Sequence, residues 1–208
     1  MKGHEMTMTE TSEVTTTVLE MTWTELAQVA SIATCAGADE ARPILTKVHL
    51  TSEEGKLQAI ATDSYTLAII STDVVAPEGL NALVPAKWLV SVVKQLKITR
   101  YPKVTVTLSF TGENLTASNG ETTVSTVLID AGLYPQVLQL VPSAEKYTSE
   151  AGAFNADFLA RMADILPAGR KDTACWKCLS MSATSPSLWT RTYHSMSAKF
   201  LIMPVKVI

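Results

Sequence analysis

A strand that runs straight into an amphipathic helix occurs three times in this sequence, each time in one register. Met21, Val84 and Phe154 each stand five residues before a leucine (Leu26, Leu89 and Leu159), at intervals of 63 and 70 residues. The middle copy, Leu80 to Arg100, is the clearest. Leu80, Leu83 and Val84 are strand-like, Pro85 fixes φ near a helix start, and Leu89, Val90, Val93 and Leu96 recur at three- and four-residue spacing. Lys87, Ser91 and Lys94 fall on another face, which for a lone helix means a solvated face. Each junction leads into further alternating apolar runs, so each unit reads β-α-β-β-β. One helix cannot cover such a sheet, and units of this kind must pair to bury a core.

Taken in order, Val14 to Met21 predicts a strand, Thr22 or Thr24 a helix cap, and Leu26, Val29, Ala30 and Ala33 the inner face of a helix ending near Gly37. Pro43 to Thr51 and Leu57 to Ile70 predict two β runs joined by the turn SEEGK. After the second helix come Lys103 to Phe110, Leu115 to Ser118 and Glu121 to Ile129, the last two joined at Asn119-Gly120, a strong hairpin signal. The third round predicts a strand from Ala151, an Asn155 cap, and a helix with Phe158, Leu159, Met162 and Leu166 inward. Strands are then expected over Ala174 to Ala183, Leu188 to Ser195 and Phe200 to Val207. The polar stretch Pro142 to Glu150 reads as a linker.

Composition narrows the function. A 47% hydrophobic content supports a sizeable core, and a formal charge of −3 excludes a uniformly basic nucleic-acid binder while allowing a local basic surface. No apolar run approaches the roughly 20 residues needed to span a bilayer, and the Thr-rich start is not signal-like, so a cytoplasmic protein is expected. Cys35, Cys175 and Cys178 give no disulfide framework, and the single CxxC, in a strand-like run, is read as packing thiols. His4, His49 and His194 lack metal-ligand spacing. Asp63 and the pair Asp157 and Asp164 read as turn, cap or solvated-face residues, and no phosphate-binding glycine loop is present, so neither an enzyme nor a cofactor is expected.

Six segments in order then resemble the bacterial DNA polymerase III β subunit, the sliding clamp, including bacteriophage forms. They are Arg42-Pro43-Ile44-Leu45-Thr46, Ala61-Thr62-Asp63-Ser64-Tyr65-Thr66-Leu67-Ala68, Val84-Pro85-Ala86-Lys87, Gly132-Leu133-Tyr134-Pro135 with Val141-Pro142, Gly152-Ala153-Phe154-Asn155, and Leu201-Ile202-Met203-Pro204-Val205-Lys206. The resemblance implies an α+β DNA clamp fold of three β-α-β-β-β half-domain repeats, with antiparallel sheets outside and helices on the inner face of a ring around duplex DNA. Residues 1–13 are then a disordered segment, 14–142 a complete domain of two repeats, and 151–208 a single half-domain. Lys87, Lys94, Lys97, Arg100, Arg161, Arg170 and Lys171 become candidates to meet DNA phosphates without sequence preference. A hydrophobic groove for the short peptide motifs of a polymerase and clamp loader is expected at Leu45, Thr62, Tyr65, Leu67, Pro135, Leu140, Asn155, Phe158, Ser187, Leu201, Ile202, Met203, Pro204 and Val205.

The sequence departs from the family where Thr66 replaces an arginine, where Lys206 replaces another, and where the first helix carries no Lys or Arg from Thr22 to Gly37. It departs most in its count of units. Relatives reach twelve units per ring with two chains of six or three of four, and chains of three would reach it as a tetramer. The alternative to a processivity factor is a clamp-like decoy or adaptor that binds clamp-motif peptides without encircling DNA.

Overall fold

A computed structural model describes residues 16–97, 104–147, 152–166 and 175–205. The expected disordered start, the cations Arg100, Arg170 and Lys171, and Lys206 lie outside the described residues. The first unit consists of β1 (Thr16–Thr22), α1 (Trp23–Ala30), a 3-10 segment (Ser31–Cys35), β2 (Lys47–Glu53), β3 (Lys56–Thr62) and β4 (Thr66–Val75). The second has β5 (Asn81–Pro85), α2 (Ala86–Gln95), β6 (Thr105–Thr111), β7 (Asn114–Ser118) and β8 (Thr123–Val127). The third has α3 (Ala156–Asp164), β9 (Lys177–Ser180), β10 (Ser187–Tyr193) and β11 (Met196–Ile202).

The units do not keep their own leading strands. β1 pairs with β6 of the second unit, Met21 opposite Val106, while β5 pairs with β2 of the first, Val84 opposite Val48. This reciprocal exchange yields one sheet ordered β1-β6-β7-β8, and it adds β5 to the edge of the other. The second sheet continues past the first unit, because β4 pairs antiparallel with β11, giving the order β5-β2-β3-β4-β11-β10-β9. Seven strands from three units thus form one sheet.

The helices cover one face of these sheets. Leu26, Val29 and Ala30 of α1 and Ala86, Leu89 and Val92 of α2 are buried with Leu19, Val48, Ile70, Leu108 and Phe200 in the main core. A second cluster lies on the opposite face of the long sheet, where Ile60, Leu67, Ile69, Leu188 and Leu201 are covered by Tyr134 and Val137 of the segment that follows β8. That double cover explains why β3 is buried continuously from Leu57 to Thr62 instead of in alternation. At the start of α1, Thr22 accepts the N–H of Glu25 while Glu25 accepts the N–H of Thr22, a reciprocal cap. Thr22→Ala is expected to cost about 1 kcal/mol in a urea titration.

Several boundaries differ from expectation for local reasons. Pro43–Thr46 is a 3-10 turn and not the start of a strand, closed by Thr46 Oγ1 donating to the Pro43 carbonyl at 2.7 Å. The run Leu57 to Ile70 is two strands, broken where Asp63 accepts from the N–H groups of Tyr65 and Thr66 and Ser64 adopts φ +80°. The last hairpin turns at His194, φ +51°, so its final strand begins at Met196 and not at Phe200. Residues 152–155 form no strand, unlike their counterparts in β1 and β5. Leu159 is 38% exposed, not turned inward. No described helix is long and apolar enough to cross a membrane.

Candidate functional site

The ladder between β4 and β11 brings the end of the chain beside the turn at Asp63. Thr66 faces Ile202 and Leu67 faces Leu201, and beyond β11 the Met203 N–H donates to the Tyr65 carbonyl at 3.1 Å. The segment after β8 approaches from the other side with Pro135, Val137 and Leu140. Between them lies an open cleft of about 260 Å³, lined by Leu45, Thr62, Ser64, Tyr65, Thr66, Leu67, Pro135, Val137, Leu140, Pro186, Leu201 and Met203. Its wall is largely apolar, and its rim stays accessible: Tyr65 is 55% exposed, Leu140 51% and Met203 38%.

Of the expected groove residues, Leu45, Thr62, Tyr65, Leu67, Pro135, Leu140, Leu201 and Met203 meet at this cleft. Others do not line it. Ile202 points from β11 to the opposite face and is fully buried in the main core, as strand alternation requires of the neighbour of Leu201. Ser187 is also buried; its hydroxyl accepts the Ser182 N–H, and Pro186 takes its place on the wall. Asn155 caps α3, accepting the Asp157 N–H at 2.8 Å. Phe158 stacks on Tyr65, with centroids 5.8 Å apart, and so supports the rim from behind. Pro204 and Val205 lie past the strand, where the Val205 N–H donates to the Ala153 carbonyl. The sequence reading missed Ser64, Thr66, Val137 and Pro186; the first two sit inside the quoted ATDSYTLA segment, and Val137 two residues past GLYP.

Arg161, expected among the phosphate-facing cations, is engaged within the chain: its Nη1 donates to Asp63 Oδ2 at 2.5 Å and to Thr66 Oγ1 at 3.0 Å, with its guanidinium over the Phe158 ring. Burial opposes ionisation of Asp63, but hydrogen bonds from Arg161 and from the N–H groups of Thr66 and Tyr65 outweigh it and hold the carboxyl below the usual range. Thr66, which stands where the resembled family has an arginine, is thus met by a guanidinium from another element. Cys35 is buried close by, and desolvation pushes its thiol up to about 12, which leaves it a packing residue.

Lys87 and Lys94 lie two turns apart on the exposed side of α2, about 10 Å along its axis, with exposed Lys97 just past its end. Ion pairs among the described residues engage Arg42, Lys56 and Arg161 but none of these lysines. A larger cleft of about 900 Å³ runs between the ends of α1, α2 and α3, lined mostly by small residues, with Lys87, Glu40 and Asp164 at its margin. Among the described residues no cluster of His, Cys, Asp or Glu could hold a metal ion.

A family model described as the DNA polymerase III beta subunit, central domain, matches residues 20–136, more than half of the chain. The chain belongs to the DNA polymerase III β-subunit family. The matched region holds most of the two strand-exchanged units, and the third unit lies beyond it. Solved structures of the β-subunit family share the fold. The DNA polymerase III subunit beta from Borrelia burgdorferi superposes with a TM-score of 0.75 at 15% identity, over 99% of this chain and 68% of that one. The DNA polymerase sliding clamp from Bacillus subtilis gives 0.74 at 18% identity, over 97% and 67%. The corresponding clamp from Pseudomonas aeruginosa gives 0.72 at 16%, over 92% and 67%. No curated protein matches the sequence significantly. This member of the family has the α+β clamp-like fold of antiparallel sheets and few helices.

Proposed function

We propose that the protein is a sliding clamp that encircles duplex DNA and tethers a replicative polymerase, without chemistry of its own, as a processivity factor of phage or bacterial origin. Residues 14–142 form its complete domain and 151–208 a half-domain. The observation that carries the reading is the cleft at the β4–β11 junction: an apolar floor with a flexible Met203 and exposed Tyr65 and Leu140 suits the apolar anchors of a short peptide from a polymerase or loader. Lys87 and Lys94 on α2, with Lys97 just past its end, support DNA contact, since exposed lysines that join none of the ion pairs among the described residues neutralise phosphates without reading sequence. Chains of three units supply the ring as a tetramer.

The test is topological. Loaded on a nicked circular duplex, the protein is expected to stay bound until the circle is cut, and then to slide off the ends. Retention that is indifferent to linearisation, or none with loader present, overturns it. Binding of a clamp-motif peptide with no retention on circles favours the decoy reading. Leu140→Asp, at an exposed rim position, is expected to weaken peptide binding about tenfold by fluorescence anisotropy while leaving the thermal midpoint unchanged.

A further inference from the structure

In the first two units the leucine four residues into the helix is fully buried: Leu26 and Leu89 are both 0% exposed. Leu159 holds that register in α3 and is 38% exposed. On the same helix Ala156, Ala160 and Ala163 are exposed as well, so that only Met162 is buried. The sheet tells the same story. Each complete unit has a partner's leading strand paired to the first strand after its helix, β1 on β6 and β5 on β2. β9 is the corresponding strand of the third unit, and among the described residues it is the bare edge of the seven-stranded sheet. The unit's own leading segment, 152–155, has no ladder. Helix and sheet therefore lack the same thing, a sister unit with a leading strand to exchange.

We infer that the sister is the third unit of a second copy of this chain, joined across a two-fold axis, with residues 152–155 of each copy pairing on β9 of the other and the α3 helices packing side by side through Leu159. The first two units supply the pattern. In both observed exchanges the residue before the last of the leading strand faces the second residue of the receiving strand: Met21 faces Val106 and Val84 faces Val48. Phe154 and Cys178 hold those positions in the third unit. A two-fold contact satisfies both edges at once, because each copy gives and receives the same strand. The inference rests on the oligomeric part of the proposed function and not on DNA binding.

Two experiments on the full chain test it. In a Cys35→Ala, Cys175→Ser background, Phe154→Cys is expected to form a covalent dimer with Cys178 of the second copy under mild oxidation, reversed by dithiothreitol, because opposed residues of an antiparallel pair bring Cα atoms within disulfide range. Leu159→Arg, on the surface of the single chain, is expected to cut the mass measured by light scattering at least by half with unchanged circular dichroism. A folded Phe154→Cys protein that gives no covalent dimer overturns the inference, as does a Leu159→Arg mass equal to wild type; if Phe154→Cys does not fold, the mass decides. A covalent dimer that fails to stay on circular DNA keeps the inference and removes the clamp function, whereas retention on circles without the covalent dimer does the reverse.

Discussion

Replacing Arg161 by alanine is expected to lower stability by about 3 kcal/mol, because it leaves Asp63 largely buried beside the β4–β11 junction with its counter-ion gone. Asp63→Asn should cost less. The amide oxygen can still accept from the N–H groups of Tyr65 and Thr66, and the charge left without its partner is Arg161, the more exposed member of the pair at 26% against 12%. The double variant should therefore be more stable than the sum of the single losses predicts, a coupling measured by urea titration of all four proteins. The pH dependence has a definite sign. Since the folded carboxyl titrates below its unfolded value near 4, its contribution is present above that pH and is lost as pH falls through the lower folded value. With Arg161 gone the first among the hydrogen bonds that hold the carboxyl down is absent, so acid unfolding of the variant should begin at higher pH than in wild type. Equal acid midpoints would show that the pair does not set this transition.

The second large effect concerns DNA. Reversing charge at Lys87, Lys94 and Lys97 together is expected to reduce retention on circular duplex about a hundredfold at low salt and to flatten its salt dependence by roughly three in the logarithmic slope per chain. Folding should survive, since all three lysines are exposed and the buried positions of α2 are Ala86, Leu89 and Val92. Reversing Arg161 is a different experiment. It would strike the Asp63 pair, and any loss of DNA retention would come with loss of stability. Unchanged retention in the triple variant moves the DNA contact off α2.

The repeated junctions were legible because a helix register leaves a fixed spacing, and Met21 to Leu26, Val84 to Leu89 and Phe154 to Leu159 share it. What the spacing could not carry was who owns each strand. Local pattern makes β1 and β5 strands, yet whether β1 pairs inside its own unit or crosses to β6 is decided by long-range packing that no window of sequence contains. The missing leading strand at 152–155 follows from the same cause: β propensity is expressed where an edge exists to receive it. At the cleft, Leu201 and Met203 were found through a quoted segment, but Ile202 between them could be assigned only by knowing which face of β11 meets the second cluster. Arg161 looked like one cation among several on a helix. Its partner is 98 residues away in sequence, and nothing local marks the pairing.

The antiparallel meeting of β4 and β11 has one more consequence. The first and third units face each other last strand to last strand, and among the described residues the edge strand at the far end of the other sheet, β8, is also a last strand. Among those residues the chain therefore ends in two unlike edges, β9 at one side and β8 at the other, and a head-to-tail ring would have to join edges that do not match. Like can meet like only across two-fold axes. Such axes would lie in the plane of the ring and turn each neighbour over, so that the clefts of successive chains would open alternately on its two sides. A clamp assembled in this way would have no front or back, and a polymerase could be recruited from either direction along the DNA.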